Sequence, residues 1–434
     1  MTSAWRRTVQ AFADRRAVLL FVFGFGCGLP FLLVGYTLSI WLREAGYELA
    51  MIGLLSYATL FYVAKFVWAP WLDRLRLPVL GRLGRRRGWL LLSQTVLAAA
   101  LFAMAVIGPQ TSLPLFIGLV GLAAFAGATQ DTLVDAYRIE IAPLESQAAL
   151  ASTYTLGYRL ALIAGGAGAL YLADWAGWRA AYSVMAGLLL VPIAATWLAA
   201  EPQTDGTLAR PSLREAFIAP FAAFFGRNGL LLGLALLAFV GLFKMPDQML
   251  GVIAGPFYID SGFDKSEIAT VSKVFGVWVG IVGAFLGGMA VAAFGLRGPL
   301  VVAALAVGLS NLLFVLMALY PADLWVFVLT IGGDNLSQGF AGTVLVAFMS
   351  SLTDRNFTAT QYALLSSLAN LPGKLVGGVS GWLAEVWGYA GFFVFSTLSV
   401  VPTLLLLMWL WSRTAAGDAS SGPGSSGQGA AGAR

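Results

Sequence analysis

Nine ionisable side chains lie inside long apolar segments of this 434-residue sequence. A charged side chain at the centre of a membrane-spanning helix costs about 2.5–3.5 kcal/mol on insertion scales, so each of these groups needs a partner or water. Carboxylates in such positions can carry protons, and ammonium or guanidinium groups can hold anions. The nine residues are Lys65, Asp131, Asp135, Arg159, Lys244, Asp247, Lys273, Asp334 and Lys374.

The spacing of the polar residues predicts that they form stripes on helices. Residues three or four apart share a helix face, which applies to Asp131, Asp135 and Arg138 in one segment. Each stripe can face one shared cavity. With five cations and four carboxylates among the nine, such a cavity suits an anionic solute. The further pairs with this spacing are Lys244 with Asp247, Asp334 with Gln338, and Asn370 with Lys374.

Structural roles compete with functional ones at several positions. A gate or packing ion pair is favoured over a ligand site for Asp135 and Arg138. Lys65 is expected to neutralise an aspartate of the segment that contains Asp135 and Arg138. This is a structural role, but such an ion pair can also act as a gate.

Two further positions stay open between structure and function. Lys244 and Asp247 can satisfy each other within one helix. Lys273 lies about two turns into its segment, so its ammonium can instead extend outward to the membrane surface.

The composition places the chain in a membrane. Hydrophobic residues make up 59% of the sequence and charged residues 11%, whereas charged residues are about 25% of soluble domains. The mean hydropathy is +0.82. No histidine and a single cysteine, Cys27, are present, which removes the common zinc, Ser-His and Cys-His chemistries. We therefore expect no enzyme, metal or cofactor, and any coupled proton to travel on a carboxylate.

Twelve apolar segments are long enough to span a bilayer. Seventeen Lys and Arg residues outside them fall on the side of the N-terminus, and three fall on the other side if Arg179 at the edge of a span is counted, so both termini are predicted to be cytoplasmic. The net charge of +5 is explained by these flanking residues facing lipid, and nucleic acid is not expected as a partner. The predicted spans are 17–42, 49–72, 88–108, 112–141, 148–173, 178–200, 228–258, 266–294, 298–319, 323–352, 358–387 and 389–412.

A weak internal repeat divides the chain into halves. The segment 41–47 is echoed by 257–263, 216 residues later, and two aspartate- or glutamate-containing turns repeat at a similar offset. The domains predicted from this are 1–200 and 228–412, two six-helix bundles, with a cytoplasmic linker at 201–227 and a disordered tail at 413–434. Six spans repeated in the same orientation are typical of the major facilitator superfamily.

Several ordered segments in both halves resemble the AmpG-type muropeptide permeases of that superfamily. They include Gly28-Leu29-Pro30, Lys65 to Pro70, Arg85-Arg86-Arg87-Gly88-Trp89, Ala128 to Asp131, Leu156 to Arg159, Gly262 to Ile268 and Ala359 to Ser366. The resemblance implies proton-coupled import of 1,6-anhydro-muropeptides across the inner membrane of a bacterium. It also implies a link to peptidoglycan recycling and β-lactamase induction.

Roles for individual residues follow from that resemblance and from the stripes. Protons are assigned to Asp131, Asp135, Asp247 and Asp334. Substrate carboxylates are assigned to Arg159, Lys244, Lys273 and Lys374, and sugar hydroxyl and acetamido groups to Tyr36, Tyr57, Gln130, Asn335, Gln338 and Asn370. Gating and charge pairing are assigned to Lys65 and Arg138, and to Asp73 and Arg74 in the superfamily's signature loop.

Other functions fit the same architecture. A transporter of another anionic solute, such as a siderophore or acetyl-CoA, is the main alternative. A non-transporting receptor or enzyme is less favoured, because the loops are too short for a soluble domain. A monomer in membrane lipid is expected, with the cell-wall fragment and protons as its partners.

Overall fold

The computed structural model describes residues 15–65, 67–141, 147–202, 222, 224–352 and 358–420. Within these ranges the side chains of residues 70, 73, 74, 147–149, 151, 152, 350, 358–369 and 413–420 lie outside the description. No strand occurs in the described ranges. The fold is therefore helical wherever the structure assigns regular secondary structure.

Ten α-helices form the N-terminal half, defined here as residues 15–200. A 3₁₀ segment, Ser56–Thr59, joins the third to the fourth, and a π-helical segment, Ala164–Gly168, joins the eighth to the ninth. The helices are α1 Arg15–Leu33, α2 Tyr36–Glu44, α3 Leu49–Leu55, α4 Leu60–Ala64, α5 Ala69–Arg74, α6 Arg85–Thr111, α7 Leu113–Ile141, α8 Gln147–Ile163, α9 Ala169–Leu188 and α10 Leu190–Leu198.

Seven α-helices follow in the C-terminal half, defined as residues 224–420. A second π-helical segment, Ala269–Phe275, lies between the second and third of them. The final helix extends to Ser420, beyond residue 413 at which the tail is predicted to begin. Most of the predicted linker 201–227, namely residues 203–221 and 223, lies outside the described residues. The helices are α11 Leu230–Asp260, α12 Lys265–Ile268, α13 Gly276–Phe294, α14 Arg297–Leu319, α15 Leu324–Leu352, α16 Thr358–Leu398 and α17 Val400–Ser420.

Eight helical stretches of the described chain are long and apolar enough to cross a membrane. Two of them, Thr153–Leu198 and Asn370–Ser412, have 46 and 43 residues. At a rise of 1.5 Å per residue, each is more than twice as long as a bilayer core of about 30 Å. Each is broken at a glycine in a positive-φ conformation, Gly177 (φ 81°) and Gly388 (φ 69°). Each stretch therefore supplies two helices.

The backbone turns repeat between the halves. Eight of the nine described positive-φ residues, all except Gly229, form four pairs that are between 211 and 216 positions apart, and each pair breaks the chain between corresponding helices. The repeat seen faintly in the sequence is thus present in backbone geometry. The pairs are Gly46 with Gly262, Gly84 with Gly295, Gly108 with Ala322, and Gly177 with Gly388.

The two ends of the bundle differ in chemistry. At one, the arginine-rich end, Arg15 donates to the carbonyl of Leu198 and Arg87 to that of Trp197. At the other, the gate end, α2 ends at Glu44 and α11 ends at Asp260. Helices that begin at one end finish at the other, as α11 does over 31 residues.

The hydrophobic core joins the halves mainly at the gate end. The largest buried cluster contains residues of both halves, among them Trp41, Phe116, Phe257 and Phe327. Two smaller clusters lie within single halves, one around Phe23 and Tyr137 and one around Phe239 and Val344. The halves are therefore packed together towards the gate end and keep separate cores elsewhere.

Candidate functional site

A cavity of about 440 Å³ lies between the two halves. Its walls come from α1 to α3 of the N-terminal half and from α11, α15, α16 and the second π segment of the C-terminal half. Small-molecule sites usually have volumes of about 300–1,000 Å³, so this space is large enough to hold a solute. Its polar lining consists of Tyr36, Ser39, Ser56, Thr59, Lys244, Asp247, Gln248, Lys273, Gln338 and Lys374.

Three lysines from three different elements line this cavity. The ammonium of Lys273 lies 3.2 Å from the centre of the Tyr36 ring, and that of Lys374 donates to Thr59 Oγ1 at 2.9 Å. Neither they nor Lys244 forms an ion pair with any side chain that the structure describes. Lys273 faces the cavity rather than the membrane surface. The cavity therefore presents three ammonium groups that can bind an anion.

Local breaks in helix geometry position these lysines. Lys273 lies in the π-helical segment, and π segments are often found at functional sites. Its stem passes next to Gly166 in the other π segment, where a side chain larger than hydrogen would approach within 3.3 Å of it. The partner of Lys374, Thr59, ends the 3₁₀ segment that interrupts the predicted second span. The π and 3₁₀ segments thus supply Lys273 and the hydroxyl group that binds Lys374.

Two carboxylates accompany the lysines. Asp247 follows Lys244 by one turn but makes no ion pair with it, and its Oδ1 is enclosed without a hydrogen-bond partner among the described residues. Asp334 is 6% exposed and accepts two 2.9 Å hydrogen bonds from the amide of Gln338. Because Gln338 lines the cavity, it separates Asp334 from the solute space.

A second charged cluster lies inside the N-terminal half. Lys65 donates a hydrogen bond to Asp131 and lies 3.7 Å from Asp135, and Asp135 lies 3.8 Å from Arg138 one turn along. The hydroxyl of Tyr154 donates to Asp131 at 3.0 Å. The predicted pairing of Lys65 with the helix that holds Asp131 is confirmed. None of these five residues is in the lining of the cavity, so the polar stripes form two clusters instead of one.

Three of the amides assigned to sugar recognition make contacts within the protein. Gln130 is fully buried and donates to Cys27 Sγ at 3.6 Å. Asn335 donates to the carbonyl of Ile331, and Asn370 accepts from Gln248. They lie outside the lining of the cavity.

The remaining assigned residues have varied surroundings. Tyr57 donates to the carbonyl of Leu375 and packs against Gly378 of α16, so its hydroxyl joins the halves. Arg159 is exposed, on the helix turn that precedes the first π segment. Asp73 and Arg74 end α5, and their side chains lie outside the described residues.

Ion pairs that the sequence did not reveal close the gate end. The guanidinium of Arg43 holds the carboxylate of Asp260 with two hydrogen bonds of 2.7 and 2.6 Å. Lys265 lies 2.5 Å from Glu44 and 3.9 Å from Asp174. Each pair has one partner in each half. These contacts join the two halves at the gate end.

The gate is built on the internal repeat. Each half ends its first long segment with a carboxylate, Glu44 in one and Asp260 in the other. An aromatic donor from the same half binds each of them: Trp178 donates to Glu44, and Tyr389 donates to Asp260 at 2.5 Å. In the sequence, the repeat of 41–47 in 257–263 indicated that these two loops correspond, but it did not show that they contact each other.

Comparisons with known proteins agree with this architecture. A family model described as the Major Facilitator Superfamily matches residues 17–373. The anhydromuropeptide permease of Escherichia coli is 37% identical over 402 residues, covering 92% of this chain and 80% of the permease. A putative AmpG transporter of Rickettsia conorii is 33% identical over 410 residues, covering 93% of this chain and 98% of that protein.

Solved transporters share the fold at low sequence identity. The crystal structure of the nucleoside transporter NupG (D323A mutant) superposes with a TM-score of 0.69 at 14% identity, covering 92% of this chain and 99% of NupG. A D-xylose–proton symporter gives a TM-score of 0.68 at 13% identity, covering 90% and 96% of the two chains. At such identities the likeness concerns the fold alone.

Proposed function

Because the chain belongs to the Major Facilitator Superfamily, and within it to the AmpG-type permeases, we propose that it imports 1,6-anhydro-muropeptides for peptidoglycan recycling, driven by protons. It is a multi-pass transporter of the bacterial inner membrane. The observation that carries the choice of solute is the set of three cavity lysines without anionic partners. Muropeptides bring carboxylates to such lysines and sugar hydroxyls to Ser39, Ser56 and Gln248.

The proposed topology has twelve membrane-spanning helices and both termini in the cytoplasm. It is supported by the excess of arginine at the end that begins with Arg15. Six helices per half are supported by the four positive-φ turns of the N-terminal half, each of which recurs in the C-terminal half. In this topology the gate end faces the periplasm, and the structure has its periplasmic side closed by the pairs Arg43–Asp260 and Lys265–Glu44.

The transport cycle alternates access to the cavity between the two halves. Solute carboxylates bind Lys244, Lys273 and Lys374, which releases the ammonium of Lys273 from the Tyr36 ring. Because Tyr36 also bonds Ser272 of the other half at 3.3 Å, this step loosens a contact between the halves. A ligand shifts such an equilibrium only by its unequal affinity for the two states, and the lysine contacts provide that difference.

The proton step is assigned to the N-terminal cluster. With no histidine in the chain, a carboxylate must carry the proton. Protonation of Asp131 removes the negative partner closest to Lys65 and leaves that lysine to Asp135 alone. Asp247 and Asp334 are second carriers, beside the cavity. Proton coupling then links the charged cluster of the N-terminal half to the solute cavity between the two halves.

A competition assay tests the choice of solute against the alternatives. Uptake of labelled anhydro-muropeptide is measured in cells that lack their own permease and express this chain. An excess of unlabelled anhydro-muropeptide is expected to abolish uptake, whereas a ferric siderophore or acetyl-CoA leaves it unchanged. Inhibition by either of those solutes at comparable concentration would favour the corresponding alternative.

A further inference from the structure

A second cavity, of about 400 Å³, opens at the gate end. It is formed by the ends of α2 and α6 and the break within α9 at Gly177 in the N-terminal half, and by Lys265 of the C-terminal half. It shares no residue with the central cavity. The side chains used below are Trp41, Glu44, Gln110, Trp178, Arg179 and Lys265.

Two tryptophans form a rigid wall of this cavity. Trp41 is 6% exposed and its ring meets Phe116 edge-on at 5.2 Å. Trp178 stacks on Trp41 with an interplanar angle of 12° and a centroid distance of 5.6 Å, and its Nε1 donates to Glu44. Held by stacking and by a hydrogen bond, the indole of Trp178 is a preorganised apolar surface.

The other lining groups offer polar recognition. Arg179 and Gln110 are exposed, and Arg179 forms no ion pair with a described residue. Beside Gly108 and Gly177, the position of an added Cβ would have no atom within 4 Å, so a ligand can approach the backbone there. A guanidinium that is free to bind a carboxylate thus stands next to a flat apolar wall.

We propose that this cavity is an outer binding site for a carboxylate-bearing sugar, whose ring packs on Trp178 while its acid group binds Arg179. The identity of the sugar as a muropeptide rests on the proposed function. A carboxylate bound here also reaches the ammonium of Lys265, which now holds Glu44 at 2.5 Å. The ligand then competes for a cation that closes the gate. Binding from outside therefore favours opening of the gate end.

An equilibrium binding experiment counts the sites. Labelled anhydro-muropeptide is titrated onto the purified full chain in lipid nanodiscs. Because the gate is closed between the cavities, we expect two molecules per protein at saturation. Arg179→Gln is expected to leave one, at the central cavity, and Lys374→Gln to leave one, at the outer site. Arg297→Gln, an exposed arginine at the other end of the bundle, serves as the matched control and keeps both.

A transport readout separates recognition from structure. Arg179→Gln is expected to raise the half-saturating concentration for uptake about tenfold with the maximal rate unchanged, since one charge-assisted contact is lost. Exchange measured from the cytoplasmic face stays as in the wild type. A structural defect would instead lower the maximal rate from both faces.

The outcomes distinguish this site from the proposed function. A single bound molecule that Lys374→Gln abolishes and Arg179→Gln leaves intact overturns the outer site alone. Binding that depends on Arg179 in a chain that transports no muropeptide contradicts the proposed function and supports the outer site. A wild-type chain without saturable binding contradicts both.

Discussion

The charged side chains clustered inside the N-terminal half are paired with one another, whereas the cations of the central cavity are not. Lys65 forms ion pairs with two carboxylates, and Tyr154 donates a hydrogen bond to one of them, Asp131. Lys374, by contrast, has a threonine hydroxyl, and Lys273 has an aromatic ring. An unpaired ammonium in a membrane protein is tolerated where water or a ligand can reach it. We propose that the paired groups respond to a proton and that the cavity lysines bind an anion.

The largest effect is expected from removing two cavity lysines together. Lys244→Gln combined with Lys374→Gln deletes two charged contacts to the solute, and initial uptake at low concentration should fall about 100-fold. Uptake of labelled anhydro-muropeptide into proteoliposomes measures this. Lys374→Arg keeps the charge and should retain most of the rate. A double variant with normal uptake would show that the unpaired cations do not bind the solute.

Asp131→Asn should abolish accumulation while exchange continues. The amide cannot carry the proton but can still accept a hydrogen bond from Lys65, so the fold is kept. Accumulation under a pH gradient and counterflow without one are compared in the same proteoliposomes. The matched control is Asp323→Asn, at the exposed start of a helix. Gln130→Glu is not suitable as a control, because Gln130 is fully buried. Undiminished concentrative uptake would place the proton elsewhere.

Removing a paired cation should cost stability that removing an unpaired one does not. Lys65→Gln leaves two carboxylates without their cation and is expected to destabilise the protein by about 2 kcal/mol, below the range for fully buried pairs because Lys65 is 30% exposed. Lys244→Gln should be neutral. Thermal unfolding of the purified variants measures both, and Asp131→Asn added to Lys65→Gln should restore part of the loss. Equal losses for the two lysines would remove the distinction between the clusters.

The smallest effects are expected at the gate, where the two ion pairs differ in geometry. Arg43 binds Asp260 with two hydrogen bonds, whereas Lys265 binds Glu44 through one ammonium. Arg43→Lys should therefore expose the gate end more than Lys265→Arg does, by a few-fold in labelling rate of a cysteine placed at Ser39, with Cys27 replaced by Ala. Equal labelling rates would mean that bidentate geometry does not hold the gate.

Same-helix relations were predictable from the sequence, and relations between helices were not. The stripe of Asp131, Asp135 and Arg138 follows from the helical repeat: both aspartates lie within ion-pair distance of Lys65, and Arg138 lies beside Asp135. Lys374 donates a hydrogen bond to Thr59, which lies 315 positions earlier in the sequence. The spacing of residues within one helix does not predict which helices pack against each other.

Close contacts between helices determine which polar side chains have partners within the protein, and the sequence does not reveal these contacts. Added Cβ atoms at Gly24 and Gly157 would clash with the carbonyl oxygens of Tyr154 and Phe21, so α1 and α8 approach closely there. That approach fixes Tyr154 beside the charged cluster. Tyr57 and Gln130 resembled solute ligands as polar groups in apolar segments, but the Tyr57 hydroxyl and the Gln130 amide nitrogen both donate to groups of the protein. A polar residue in a span signals a partner, and the sequence does not say whether that partner is solute or protein.

Accumulation in reconstituted liposomes tests the central claim most directly. The purified chain is reconstituted, labelled anhydro-muropeptide is supplied outside, and the outside is made acidic relative to the inside. We predict that the solute accumulates above its outside concentration and that a protonophore reduces it to the equilibrium level. Uptake that only equilibrates under the gradient would contradict proton coupling, and the absence of uptake would contradict the proposed solute.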